Sequence, residues 1–244
     1  MSQAFGALLL VVALVVTRPA WPNASEWAWG LAGGLSLAVG LGALYGGLAR
    51  GVMSIVSPIS ATGAAIPIVY GLARGERPSA LQWAGVVLAL VSIVFVSRQP
   101  GSAVAAGERS AGIALALVAA AGFGTFFVLA DLAEGAGVLH ATLAQRIGLL
   151  VVVAAVVVAT RPPVSGVRGR LLPLLAVGAL DTTATGLYVA ATGEGLTSVV
   201  SVVASLYPAF TIMLAYAILH ERLARPQAAG AGGALAGVGL MAAG

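Results

Sequence analysis

The chain has 244 residues, of which 60% are hydrophobic and 8% charged, with a formal net charge of +4 and no cysteine. A soluble domain carries roughly 25% charged residues, so the outside of this fold must also be apolar and its solvent is lipid; disulfides and thiolate metal sites are excluded. The 12 basic residues are all arginines, scattered at the ends of apolar runs in a loop pattern rather than a nucleic-acid-binding stripe, and the 2 histidines are too few for a histidine metal cluster.

A membrane-crossing helix needs about 20 apolar residues. In chain order the candidate runs are Gln3 to Thr17, Trp27 to Ala49, Val52 to Ala73, Ala80 to Ser97, Ser110 to Ala130, Ala141 to Thr160, Leu171 to Thr192, Thr197 to Leu219 and Pro226 to Gly244. The expected fold is an all-α polytopic membrane protein of about nine transmembrane helices. The runs are continuous rather than alternating, which argues against barrel strands. No Lys or Arg precedes the first run, so it reads as part of a helix within the fold and not as a signal peptide. Ser79 with Gln82 forms a capping-box signature, and Pro226 suits a first helical turn. Pro58, Pro67 and Pro208 fall inside expected helices, where each frees a carbonyl. Gly42/Gly46, Gly47/Gly51, Gly71/Gly75 and Gly233/Gly237 have the spacing that lets helices approach closely in lipid. Trp21, Trp27, Trp29 and Trp83 sit near the ends of runs, as interfacial anchors do.

The chain also repeats itself. Thr17-Arg18-Pro19 recurs as Thr160-Arg161-Pro162 and Leu44-Tyr45 as Leu187-Tyr188, both at an offset of 143. Glu76-Arg77 recurs as Glu221-Arg222, and Gln82 and Gly85 as Gln227 and Gly230, at an offset of 145. The copies are residues 1–100 and 108–244, divided by the polar stretch Arg98 to Ser110. Met1 aligns with Ala144, so the first copy is expected to lack a counterpart of Gly112 to Leu143, through natural truncation or a misplaced start codon.

Asp181 is the prominent polar residue, near the middle of an apolar run, where an unpaired carboxylate costs roughly 3 kcal/mol or more. Thr182, Thr183, Thr185 and Tyr188 cluster beside it. Asp181 reads either as a carboxylate binding substrate or a proton, or as a structural group paired with Arg146 or with hydroxyls. Arg146 reads as snorkelling to the interface, as a contact for an anionic substrate, or as that partner. Ser57, Ser60, Ser201 and Ser205 line a pathway or bond between helices, and Phe126, with Phe123 and Phe127, forms an aromatic wall or meets lipid. Glu76, Arg77, Glu221 and Arg222 read as interfacial turn-formers, each carboxylate favouring the start of the helix that follows it. No catalytic motif, nucleotide-binding loop or cofactor site is present. Any pumping must therefore draw on a gradient.

Two stretches, Val52 to Ser97 and Thr197 to Gly244, share one plan. Each has a hydroxyl-rich helix interrupted by proline, then a turn (Gly75-Glu76-Arg77 or His220-Glu221-Arg222), then a Gly-rich closing helix. In this the chain resembles the EamA-type branch of the drug/metabolite transporter superfamily, apparently lacking the first transmembrane helix. The resemblance implies two inverted repeats of about five helices each. It further implies a secondary-active permease or exporter of small metabolites, amino acids or drugs, working by alternating access in a cell membrane, the inner membrane in a bacterium. The implied partners are the bilayer, a small-molecule substrate and protons as coupling ion, with no nucleic acid and with homodimerisation left open. The missing helix motivates the alternative, a non-transporting scaffold, accessory protein or truncated remnant.

Overall fold

The computed structural model describes residues 1–50, 53–96, 106–161, 171–219 and 224–244. Their helices are α1 (Ser2–Thr17), α2 (Ala24–Leu48), α3 (Met53–Ala61), α4 (Ala65–Ala73), α5 (Ala80–Val96), α6 (Ala106–Leu132), α7 (Val138–Thr160), α8 (Leu171–Glu194), α9 (Thr197–Ala204), α10 (Tyr207–Leu219) and α11 (Arg225–Ala243). Short 3-10 turns lie at Thr62–Ala64 and Glu134–Ala136, and no strand occurs among the described residues. Five segments there are long and apolar enough to cross a membrane.

Two of the expected runs are not continuous helices. Val52 to Ala73 breaks at the 3-10 turn between α3 and α4, and Thr197 to Leu219 breaks at Ser205-Leu206 between α9 and α10. Pro58 stays inside a helix, whereas Pro67 and Pro208 stand in the first turns of α4 and α10. A proline there lacks only an N–H that the first turn leaves unbonded. The hydroxyls near the breaks return to carbonyls of their own helices: Ser60 to Ser57 (2.9 Å), Thr62 to Ile59 (2.6 Å) and Ser205 to Ser201 (2.8 Å).

Repeated sequence gives repeated local structure. α1 and α7 both stop at an arginine in the left-handed region, Arg18 at φ 47° and Arg161 at φ 43°. Each donates its N–H four residues back, to Leu14 and Val157, and the preceding Thr17 and Thr160 hydroxyls bond Ala13 and Val156 at 2.8 Å. The proline that follows cannot extend the helix. At the start of α5, Ser79 and Gln82 form the reciprocal capping box at 2.8 and 3.1 Å. At α11 only the glutamine half survives, Gln227 accepting from the Ala224 N–H at 3.0 Å.

The chain forms two compact units that each take part of both copies: Met1–Ala38 with Phe126–Gly195, and Val39–Thr125 with Leu196–Gly244. In the first unit α1 runs parallel to α8, with Gly6 against Thr182 and Gly178 against the Ser2 backbone. The start of α2 runs parallel to α7 in the same way, Gly34 facing the Gln145 carbonyl and Gly148 the Leu31 carbonyl. A small core of Ala133, Ala136, Ala141 and Val189 lies beside these contacts.

In the second unit α5 and α11 pack antiparallel and very closely. A Cβ on Gly85 would lie 2.7 Å from the Gly237 carbonyl oxygen, and one on Gly230 2.7 Å from the Val96 nitrogen. Such backbone proximity is the main source of helix association in lipid, where apolar side chains gain little by leaving their surroundings. The Gly233/Gly237 pair therefore packs helices as its spacing suggests. Gly71/Gly75 does not: Gly75 is a turn at φ 93°, and Gly71 admits the Glu76 carboxylate. Gly42 has nothing within 4 Å, and Gly51 lies outside the described residues. The core of the unit joins α5, α9, the break after α9 and α11 through Ile93, Val96, Val202, Leu206, Ala234 and Met241.

Candidate functional site

The polar cluster of the first unit is built on three helices. α7 presents Arg146, α8 presents Asp181 and Thr185, and α1 presents Gln3. Arg146 donates through Nη1 to Asp181 Oδ2 at 2.5 Å and to the Gln3 carbonyl, and through Nη2 to Thr185 Oγ1 at 3.4 Å. Gln3 in turn donates through Nε2 to the same Asp181 oxygen at 3.0 Å. The arginine side chain is 3% exposed and the aspartate side chain 44%. The guanidinium is therefore buried and bonded and does not extend along its helix to an interface, which corrects the snorkelling reading. Its charge is answered by a carboxylate that stays accessible. A buried cation needs such a partner, because desolvating it unpaired costs several kcal/mol, on the order of 3–5.

Other candidates near Asp181 turn elsewhere. The Thr182 hydroxyl bonds Gly178 O at 2.7 Å and faces Gly6, while Thr185 also bonds Asp181 O at 2.8 Å. Thr183 is exposed. Tyr188 donates to Phe127 O at 3.2 Å, and its ring packs with Phe126 (6.0 Å between centroids) and Phe127 (5.0 Å). Phe126 and Phe127 are buried, so neither meets lipid. Trp21, Trp27 and the buried His140 form a further ring cluster with centroids 5.3 to 6.1 Å apart.

The second unit holds the serines and Glu76. Ser60 also meets the Tyr207 hydroxyl at 2.7 Å, tying the end of α3 to the start of α10, and Phe123 packs edge-on against that tyrosine. Glu76 does not serve the helix that follows it. Its carboxylate accepts the N–H groups of Thr197 (2.9 Å) and Ser198 (3.0 Å) and the Ser198 hydroxyl (2.5 Å), capping α9 in the other copy. This satisfies otherwise open amides and complements the positive end of the helix. Arg77 is exposed in the same turn. Glu221 and Arg222 lie outside the described residues. Among the described residues no group of three or more His, Cys, Asp or Glu gathers to hold a metal.

Gln3 was legible only as the repeat mate of Arg146, and the target of Glu76 was not legible, since 121 residues separate it from Thr197. Thr142 and Gln145 carried a signal in the polar density at the start of α7.

The profile of the EamA-like transporter family matches residues 1–98 and 110–243. The chain belongs to that family and is a multi-pass membrane protein. No curated protein matches the sequence. Among solved structures, one titled "Crystal structure of protein" is similar in fold, with a TM-score of 0.78 and 14% identity over 98% of this chain and 83% of that one.

Proposed function

We propose that the chain is a secondary-active transporter of small metabolites, amino acids or drugs, with Arg146 and Asp181 as the charged element of its pathway. The observation that carries this reading is the pair itself: a buried guanidinium bonded to a carboxylate that remains accessible, near the middle of an apolar helix. Intramembrane ionisable residues are functional by default. A carboxylate open on one side can exchange its arginine for a proton or a substrate group.

The reading takes the helices as nine spans, α3 with α4 and α9 with α10 each counting as one broken span, in two inverted copies within a bacterial inner membrane. Inversion is supported by local contacts. α1 matches α7 and α2 matches α8 in sequence, and the α1–α8 contact reappears as α7–α2. The matched helices α5 and α11 pack antiparallel. Broken helices in corresponding places of both copies are a recurrent feature of such transporters.

The test is reconstitution of the full chain in proteoliposomes, with uptake and efflux of an amino-acid, metabolite and drug panel followed with and without a proton gradient. Transport by wild type that Asp181→Asn abolishes is the expected result. Failure to move any compound under either condition sinks the proposal and favours the scaffold reading.

A further inference from the structure

Thr142 and Gln145, one turn apart on α7, are 0% and 2% exposed. Neither the Thr142 hydroxyl nor either polar atom of the Gln145 carboxamide has a hydrogen-bond partner among the described residues. Buried polar side chains are nearly always bonded, because a desolvated donor or acceptor left alone destabilises the fold.

Each of these side chains borders a glycine that packing does not impose. A Cβ on Gly33 would meet Leu129 Cβ at 3.5 Å, Gln145 Cγ at 3.6 Å and Phe126 Cδ2 at 3.9 Å. One on Gly186 would meet Val138 Cγ1 at 3.6 Å and Thr142 Oγ1 at 3.7 Å. These are ordinary contact distances. At neighbouring Gly30, Gly34 and Gly148 a Cβ would collide with the facing helix. Gly33 and Gly186 thus each leave space the size of a methyl group where close approach does not require it, beside the two unbonded groups. Phe126 gives that room an aromatic side, and Arg146 lies one turn beyond Thr142.

We infer that Thr142 and Gln145 form a subsite for an uncharged group that both donates and accepts hydrogen bonds, a hydroxyl or a primary carboxamide, on a molecule whose apolar or planar part lies against Phe126. The chemistry of the two side chains sets this class. A carboxylate would leave the Gln145 carbonyl unanswered, and an ammonium would leave its N–H groups unanswered. The subsite's part in transport rests on the function proposed above, whereas its binding chemistry does not.

The experiment uses purified full chain in detergent micelles and three planar probes of closely similar size: benzamide, acetophenone, which lacks the donors, and benzoate. Wild type is expected to bind benzamide at least about tenfold more tightly than the other two. Thr142→Val/Gln145→Leu is expected to unfold at the wild-type temperature or above, since removing unbonded polar groups relieves the fold. It should lose the benzamide preference. Gly33→Ala, which adds a methyl group without collision, should weaken benzamide binding while the protein stays folded. Equal binding of the three probes, no binding by wild type, unchanged binding in the variants, or a lower unfolding temperature for the double variant overturns the inference. The last of these would mean that the two groups hold a structural bond. Benzamide binding without transport of any panel compound would instead fail the transporter reading and leave the subsite standing.

Discussion

Gln3 and Arg146 occupy the same position in the two copies, 143 residues apart, and hydrogen-bond to each other. Ala89 and Ala234, equivalent at an offset of 145, likewise share one core. The match of place is not a match of chemistry. One copy supplies an amide and the other a cation, and the carboxylate that answers the cation, Asp181, has Ala38 as its counterpart.

The unequal burial of the Arg146–Asp181 pair sets an order of effects. Asp181→Ala leaves a buried guanidinium with only the Gln3 and Thr185 oxygens and should destabilise by about 3 kcal/mol. Arg146→Ala leaves a carboxylate that is already accessible and should cost less. The double variant should fall well short of the sum of the two. Thermal unfolding of the four proteins in one detergent gives the coupling directly; additive shifts would mean the pair contributes nothing.

Glu76→Ala should open the first turn of α9. Loss of a charged cap costs about 1–2 kcal/mol. The change should be local, with amide hydrogen exchange accelerating at Thr197 and Ser198 while α11 keeps its protection. Glu76→Gln retains acceptor capacity on one oxygen only and should fall between the two.

The apolar runs foretold where most helices lie because lipid demands continuous apolar length, and the ends of α1, α5 and α7 match local stop and cap signals. What escaped the sequence was contact between distant residues. Nothing in Gly75-Glu76-Arg77 says that its carboxylate reaches Thr197 instead of the amides that follow it. The break between α9 and α10 was hidden because Pro208 looked like a kink within one helix rather than the first turn of a second. Arg146 had three readings because snorkelling and pairing leave the same trace in a single sequence.

Glycines of α11 should divide by position. Gly237→Ala would push a methyl group to 3.0 Å from the Gly85 carbonyl oxygen and should destabilise by about 1–3 kcal/mol. Gly239→Ala meets nothing within 4 Å and should be neutral or stabilising by up to about 1 kcal/mol. Unfolding temperatures of the two variants, measured together, check the assignment of the α5 face.

Arg18 and Arg161 hold a backbone conformation that costs a side-chain-bearing residue about 1–2 kcal/mol. Arg18→Gly and Arg161→Gly should each raise stability by about 1 kcal/mol, and Arg161→Val should lower it. A denaturation midpoint that falls in both glycine variants would show that the guanidinium groups, not the backbone, matter at these stops.

Since each compact unit draws on both copies, neither copy is a molecule in its own right. A lone first copy would carry an α5 with no α11 for its Gly85 to meet and a Glu76 with no α9 amides to hold. The single polypeptide is in this sense a tethered pair. Two identical free chains must put the same side chain on both sides of their symmetry axis, so an acid on one side brings an acid on the other. A tether lifts that obligation. Asp181 in the place that Ala38 holds in the first copy is an asymmetry that two identical chains could not carry.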